Sequence, residues 1–277
     1  MSILMLFQYD FLWRALLVGL LVTLCSALLG VPLVLRRYSM IGDGLSHVGF
    51  GALAVAAALH WAPLPVAVAA VILAAFFLLR TGNAKLRGDA AIALLSTGCL
   101  AIGVLAASLG GSNADLMNFM FGSILVLDNN DVWMSLALAA VVLPGFAWFY
   151  HRVFSVTFDE TFARATGLRT GWYQLLMAVL TSCTVVLGMR MLGTLLISSL
   201  VIFPALISMR VCKSFRGVVL CSALVSVVCF LLGFWISCLG TRGLPTGATI
   251  VVVNLCAFGL FSLLGWARAR RRALHGR

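Results

Sequence analysis

The sequence predicts an all-helical protein that crosses a membrane several times. Of its 277 residues, 63% are hydrophobic and only 10% are charged, whereas about 25% of residues are charged in a typical soluble domain. The apolar residues form runs of about 20, the length of a membrane-spanning helix. The ten-residue alternation typical of an outer-membrane barrel is missing. These observations exclude a soluble domain and favour a polytopic helical protein.

Nine apolar segments are long enough to cross the bilayer, although eight spans are also possible. They cover residues 11–35, 40–61, 64–79, 90–109, 132–150, 172–189, 192–209, 218–239 and 248–266. Pro63 and Pro65 predict the turn before the third span, a turn at Arg190 is expected to join the sixth and seventh, and Pro204 is expected to kink the seventh. Only loops remain between the spans, so residues 1–277 are expected to form a single transmembrane domain.

Two of the connections are longer and carry acidic residues. Residues 110–131 mix three aspartates with apolar side chains, and we expect a short helix or re-entrant turn at the outer surface, where protein or water can satisfy the backbone. Residues 151–171 contain the adjacent acids Asp159 and Glu160, and a short helix there is expected to end at Gly167. This second segment is either a solvated acidic patch or a docking surface for a partner.

The basic residues predict the orientation of the chain. Sixteen of the nineteen lysines and arginines fall in the loops after the first, third, fifth and seventh spans or in the C-terminal tail. Cytoplasmic loops of membrane proteins are enriched in these residues. We therefore expect the N-terminus outside and the C-terminus in the cytoplasm, and the net charge of +11 does not indicate nucleic acid.

Asp43 and His47 are the strongest candidates for a functional site. They lie four residues apart in the second span and so share one face of a helix. An aspartate inside a span costs roughly 2.5 to 3.5 kcal/mol on insertion scales, and such residues are functional candidates by default. The alternative is structural: Asp43 would cap a helix at the membrane surface, just after Arg36 and Arg37, and His47 would be an ordinary buried histidine.

A carboxylate beside an imidazole suits two kinds of transport chemistry. The two groups can bind a divalent metal such as Zn²⁺, Mn²⁺ or Fe²⁺, or they can relay a proton. Asp43 and His47 supply half of a shell of about four ligands. A second copy related by a two-fold axis would complete it, and water with backbone carbonyls of one subunit is the alternative. Catalysis finds little support, because no H-E-x-x-H or G-x-S-x-G motif is present.

The remaining reactive side chains carry weaker signals. The eight cysteines occur singly, without a C-x-x-C pair, and are expected to be apolar packing residues. His60, His151 and His275 have no acidic neighbour at helical spacing, so they are expected to be surface histidines. Lys85 and Lys213 are the only lysines, and neither lies in a P-loop, so the chain is expected to hold no P-loop ATPase.

Four segments, spread over nearly the whole chain, occur in the order found in a known family. They are LLGVPLVLRRYSMIGDGLSHVGFGALAVA from Leu28, DLMNFMFGSIL from Asp115, FDETFARATGL from Phe158 and LGTLLISSLVIFPALISMRV from Leu192. Together they resemble the membrane permease subunit of the zinc, manganese and iron uptake family of bacterial ATP-binding-cassette importers. The resemblance implies a helical permease of the bacterial cytoplasmic membrane that pairs as a dimer, with two copies of a separate ATPase and an extracytoplasmic metal-binding protein.

The resemblance also implies roles for particular residues. Asp43 and His47 match the D-x-x-x-H motif associated with metal passage. The ATPase-contact loop would contain Asp159, Glu160, Ala163 and Gly167, and the outer gate or binding-protein contact would contain Asp115, Phe121 and Gly122. One segment departs from the family, because residues 239–244 read LGTRGL, where polar or acidic residues are expected. The charge of Arg242 would repel a cation and argues against a metal ligand there.

The sequence therefore predicts the permease subunit of an importer for a divalent transition metal. The resemblance implies no permanently bound cofactor, and ATP hydrolysis on a separate chain. Zinc, manganese and iron all fit a site made of one carboxylate and one imidazole. The rival hypotheses are a proton-coupled secondary metal transporter, in which Asp43 and His47 form the relay, and an intramembrane enzyme.

Overall fold

The computed structural model describes residues 10–36, 40–81, 88–109, 127–239 and 244–275. These residues form ten helices and no strand, which confirms the predicted all-helical fold class. The helices are α1 (Asp10–Leu35), α2 (Ile41–Ala58), α3 (Pro63–Thr81), α4 (Gly88–Leu109), α5 (Asn129–Phe158), α6 (Glu160–Ala165), α7 (Thr170–Leu192), α8 (Thr194–Val211), α9 (Phe215–Leu239) and α10 (Thr246–His275).

Eight helices in the described part of the chain are long and apolar enough to cross a membrane, namely all except α3 and α6. The apolar part of α3, Pro63–Leu78, is shorter than the other eight. A multi-pass membrane protein is therefore confirmed. The choice between nine spans and eight depends on α3 and stays a prediction.

The helix α1 lies at the centre of the bundle. It packs against α5, α7, α8 and α9, and most of its side chains between Val18 and Val34 are buried. The hydroxyl of Ser26 is buried as well and donates to the carbonyl of Val22 over 2.7 Å. Burial of a hydroxyl is tolerated here because the helix backbone accepts its hydrogen bond.

Glycines bring the helices around α1 and α2 into close contact. Gly30 of α1 lies against the backbone carbonyl of Val201 on α8, and Gly51 of α2 lies against the carbonyl of Cys99 on α4. A Cβ atom at either position would overlap the facing backbone. Helices in lipid associate through such close packing of small residues, since lipid tails provide no hydrophobic drive between helices.

The turn between the sixth and seventh predicted spans lies at Gly193, and its prediction at Arg190 is wrong. Arg190 belongs to the last turn of α7, which continues to Leu192, where a positive charge is favourable near the helix C-terminus. Gly193 breaks the helix with φ +90°, a value that glycine adopts without steric strain. Pro204 is buried inside α8, which continues past it to Val211.

The helix α5 extends to Phe158, well beyond the predicted end of the fifth span, so the first part of the predicted polar loop is helical. The hydroxyls of Ser155 and Thr157 donate to carbonyls four residues earlier. Val153 and Val156 are buried in the same stretch. This amphipathic end brings α5 directly to the short helix α6.

Candidate functional site

The carboxylate of Asp43 and the imidazole of His47 lie side by side on α2. His47 Nε2 is 3.6 Å from Asp43 Oδ1, and the two side chains are 19% and 41% exposed respectively. In a tetrahedral site with metal–ligand bonds of about 2.1 Å, the ligand atoms lie about 3.4 Å apart. The observed spacing therefore suits two ligands of one metal ion.

The start of α2 determines where Asp43 lies. The N-cap residue is Met40, without a side-chain capping bond, and Asp43 belongs to the first helical turn. The alternative in which Asp43 caps this helix is therefore wrong. Asp43 instead lies within the helix, one turn before His47.

Ser198 of α8 is a third polar group at this site, and the sequence analysis missed it. Its hydroxyl lies 3.3 Å from Asp43 Oδ1 and 2.9 Å from the carbonyl oxygen of Thr194. Since a hydroxyl has a single proton, it donates to one of these two acceptors at a time. Ser198 is 8% exposed, so α8 holds it against the buried side of the carboxylate.

The site within one chain is incomplete as a metal centre. No group of three or more histidine, cysteine, aspartate or glutamate side chains comes together among the described residues. Asp43 and His47 provide one oxygen and one nitrogen, while a tetrahedral site wants about four ligands. The partly exposed face of the pair leaves room for the remaining ligands.

The short helix α6 lies after α5 and carries the residues of the expected ATPase-contact loop. The side chain of Asp159 caps it by accepting from Phe162 N over 2.9 Å. Gly167 N donates to the carbonyl of Arg164, and Leu168 N donates to the carbonyl of Ala163. These two bonds form a Schellman motif, which needs a left-handed residue at the position of Gly167. The predicted helix end at Gly167, with φ +85°, is confirmed.

Glu160 and Ala163 fix the position of α6 in the molecule. Glu160 Oε2 accepts from Arg36 over 2.6 Å, and Glu160 Oε1 accepts from Arg164 over 2.9 Å. Ala163 is fully buried, whereas Phe162 beside it is 64% exposed. The acidic segment is thus an ordered helix that presents an aromatic side chain to its surroundings.

Other candidate residues lie apart from these two places. Asp115, Phe121 and Gly122 fall outside the residues that the structure describes, as does Arg242. His60 and His151 are exposed, and neither of them joins Asp43 and His47 in a cluster.

The bundle of apolar helices, with the Asp43–His47 pair on one of them, is the fold of a multi-pass membrane protein. The chain belongs to the ABC 3 transport family, whose model matches residues 8–265. It is accordingly a permease subunit of an ATP-binding-cassette transporter, and ATP hydrolysis takes place on a separate ATPase subunit. The rival secondary transporter and the intramembrane enzyme find no support in this family.

Individual relatives are similar over almost the whole chain. The manganese import system permease protein ScaB of Streptococcus gordonii is 27% identical over 252 residues, which cover 91% of this chain and 90% of that protein. The high-affinity zinc uptake system membrane protein ZnuB of Haemophilus influenzae is 27% identical over 265 residues, which cover 95% of this chain and 100% of that protein.

A solved structure shares the fold. The PsaBC complex from Streptococcus pneumoniae, determined with a Fab, contains a chain that matches with a TM-score of 0.82 and 26% sequence identity, covering 92% of each chain. The family resemblance predicted from four sequence segments is therefore confirmed.

Proposed function

We propose that this permease subunit carries Zn²⁺ or Mn²⁺ inward across the cytoplasmic membrane, with Asp43 and His47 as ligands of the passing ion. The observation that carries the proposal is the 3.6 Å spacing of Asp43 Oδ1 and His47 Nε2 on one face of a spanning helix. Oxygen and nitrogen donors suit both metals. A small number of ligands from one chain also favours release of the ion, and transport requires release as much as binding.

The names of the relatives support this choice of cargo. ScaB is named for manganese and ZnuB for zinc, and both cover nearly all of this chain. A carboxylate–imidazole pair does not discriminate strongly between the two metals, since selectivity depends on geometry and availability more than on donor type. Iron remains a third candidate on the sequence resemblance alone.

A homodimer would complete the coordination shell. Asp43 and His47 are partly exposed on the isolated chain, and a two-fold axis beside α2 presents each ligand twice. Two Asp–His pairs make about four ligands, the number that a tetrahedral metal site takes. Residues 1–277 would act as one transmembrane domain in each subunit.

The partners would bind at opposite faces of the membrane. We assign α6, with Asp159, Glu160, Ala163 and Gly167, to one copy of the ATPase, so a dimer takes two copies. The exposed side chain of Phe162 supports a docking role. Asp115, Phe121 and Gly122 are assigned to the outer gate or to an extracytoplasmic metal-binding protein on the resemblance.

The expected orientation follows from the basic residues and from one contact. The ion pair of Arg36 with Glu160 joins the end of α1 to α6, which supports one cytoplasmic side for both. The N-terminus would then lie outside and the C-terminus in the cytoplasm.

Metal uptake by the reconstituted transporter tests the proposal. The permease is placed in proteoliposomes with its ATPase and binding protein, and uptake of Zn²⁺ and Mn²⁺ is measured with ATP. Asp43→Asn keeps the shape of the side chain and removes its charge, and it should lower uptake by tenfold or more, because even outer partners of metal ligands contribute about 10- to 100-fold. His151→Asn, at an exposed histidine, is the matched control. Normal uptake by Asp43→Asn would refute the proposal.

A further inference from the structure

A salt bridge joins the end of α1 to α6. Arg36 Nη2 lies 2.6 Å from Glu160 Oε2, although the two residues are 124 positions apart in the chain. Their side chains are 16% and 24% exposed, so water and salt screen this pair less than they screen a surface pair. The bond therefore fixes the position of α6 relative to α1.

Among the described residues, the other main contacts of α6 with the bundle are apolar. It has six residues, of which Ala163 is the buried one, and it packs against α5 and α7. Ala163 belongs to a small apolar cluster with Val156 of α5 and Tyr173 of α7. Arg36 adds a polar link from α6 to the central helix α1.

The second arginine at this carboxylate has a different role. Arg164 Nη2 donates to Glu160 Oε1 over 2.9 Å and is 68% exposed. Both residues belong to α6, four positions apart, so this contact stabilises the helix itself. Among the bonds of this carboxylate that the described residues make, the one from Arg36 connects it to the end of α1.

The end of α1 is also close to the proposed metal ligands. Asp43 lies in the first turn of α2, seven positions after Arg36. In addition, Val201 of α8 contacts both Gly30 of α1 and Gly42 of α2, the residue before Asp43. Movement of α1 would reach the first turn of α2 through this packed contact.

We propose that Arg36 is the positioning residue through which α6 acts on the metal site. When the ATPase moves α6, the Glu160 carboxylate carries Arg36 and the end of α1 with it, and the first turn of α2 shifts. The inference rests on the proposed function, in which α6 contacts the ATPase and Asp43 and His47 hold the ion. It adds a residue that touches neither the ion nor the ATPase in this scheme.

The test is the number of metal ions moved per ATP hydrolysed by the complete transporter in proteoliposomes. Arg36→Glu should leave ATP hydrolysis unchanged and lower this ratio by about tenfold, within the usual range of coupling between distant sites. The charge-swapped pair Arg36→Glu with Glu160→Arg should recover most of the ratio. Recovery identifies a specific bond, since a merely structural defect would not be repaired by a second substitution.

Arg152, close to the same end of the bundle, serves as the control. Arg152→Met removes a bond of 3.0 Å to the Tyr173 hydroxyl and should leave both hydrolysis and the ratio unchanged. An equal loss of coupling in Arg152→Met would overturn the role of Arg36.

Further outcomes also decide the question. An unchanged ratio in Arg36→Glu, or no recovery in the charge-swapped pair, would overturn the inference. If Arg36→Glu does not fold, Arg36→Lys takes its place, because lysine keeps the positive charge but lacks the planar fork of donors of the guanidinium. Arg36→Lys should lower the ratio less than Arg36→Glu. An unchanged ratio in Arg36→Lys would again overturn the inference. A wild-type complex that hydrolyses ATP without moving Zn²⁺ or Mn²⁺ would instead refute the proposed function.

Discussion

Ser198 on α8 lies within hydrogen-bond distance of Asp43 on α2, with 3.3 Å between its hydroxyl and Oδ1 of the carboxylate, although 155 positions separate the two residues. The Ser198 hydroxyl and the His47 imidazole thus lie beside the same carboxylate oxygen of Asp43. Outer partners of this kind orient metal ligands and adjust their affinity. Four predicted substitutions concern this site, the packing of α1 against α8, and the end of α6.

Replacing Ser198 by alanine should weaken the metal site without destroying it. The lost hydrogen bond is long and shared with the Thr194 carbonyl. We therefore expect the free energy of metal binding to weaken by about 1 kcal/mol, which corresponds to about a fivefold higher metal concentration for half-maximal uptake. Ser199→Ala is the matched control, because Ser199 is buried in the same helix and bonds only the Leu196 carbonyl among the contacts described. Equal effects of the two substitutions would contradict the role of Ser198.

Replacing His47 by cysteine should change the metal preference. A thiolate is a softer ligand than imidazole and favours zinc over manganese. We expect His47→Cys to retain part of its Zn²⁺ uptake and to lose Mn²⁺ uptake by about tenfold or more. The measurement compares uptake of the two metals by the same preparation, with His47→Ala losing both. A parallel loss of both metals in His47→Cys would contradict the predicted change in preference, and unchanged uptake of both metals would show that this side chain does not contact the ion.

Replacing Gly30 by alanine should destabilise the bundle. The added Cβ would overlap the backbone carbonyl of Val201, and backbone cannot move aside as a flexible side chain can. Overpacking of this kind typically costs about 1 to 3 kcal/mol, seen as a lower Tm in detergent. Gly98→Ala on α4 meets nothing within 4 Å and should be neutral or slightly stabilising. An unchanged Tm for Gly30→Ala would contradict the close α1–α8 contact.

Replacing Gly167 by alanine should weaken docking at α6. The residue has φ +85°, and an L-residue in a left-handed conformation costs about 1 to 2 kcal/mol. The strain would loosen the end of α6, so we expect less ATPase to co-purify with the permease at limiting concentration. Gly171→Ala, in the first turn of α7 with open space around it, is the control. Equal co-purification of the two variants would argue against α6 as the docking helix.

Local patterns predicted much of the fold and the proximity of Asp43 and His47. Apolar runs identified the helices, and the four-residue spacing placed Asp43 and His47 on one face, because both features depend on neighbours in the sequence. Gly167 was predicted as a helix end for the same reason. The Arg190 boundary was wrong because a charged residue can complete the last turn of a helix, where Asp131 Oδ1 also lies 3.8 Å from its guanidinium.

The contacts that hold the site together could not be predicted in this way. Ser198 meets Asp43, and Arg36 meets Glu160, only after distant helices have packed. A serine in an apolar helix and an arginine after a span are both common, and neither carries a local signal for its partner. Pairing between spans follows from the shapes of their small residues, such as Gly30 and Gly42, which a single sequence does not reveal.

The single proton of the Ser198 hydroxyl has a consequence for an ion that arrives and leaves. In the proposed function a cation draws the Asp43 carboxylate to itself, and the hydroxyl can then turn to the Thr194 carbonyl, 2.9 Å away on its own helix. Rotation of the Ser198 hydroxyl about its C–O bond then keeps this buried group hydrogen-bonded both when the subunit holds an ion and when it is empty. The cargo can therefore be exchanged at this point without breaking a backbone hydrogen bond of α8.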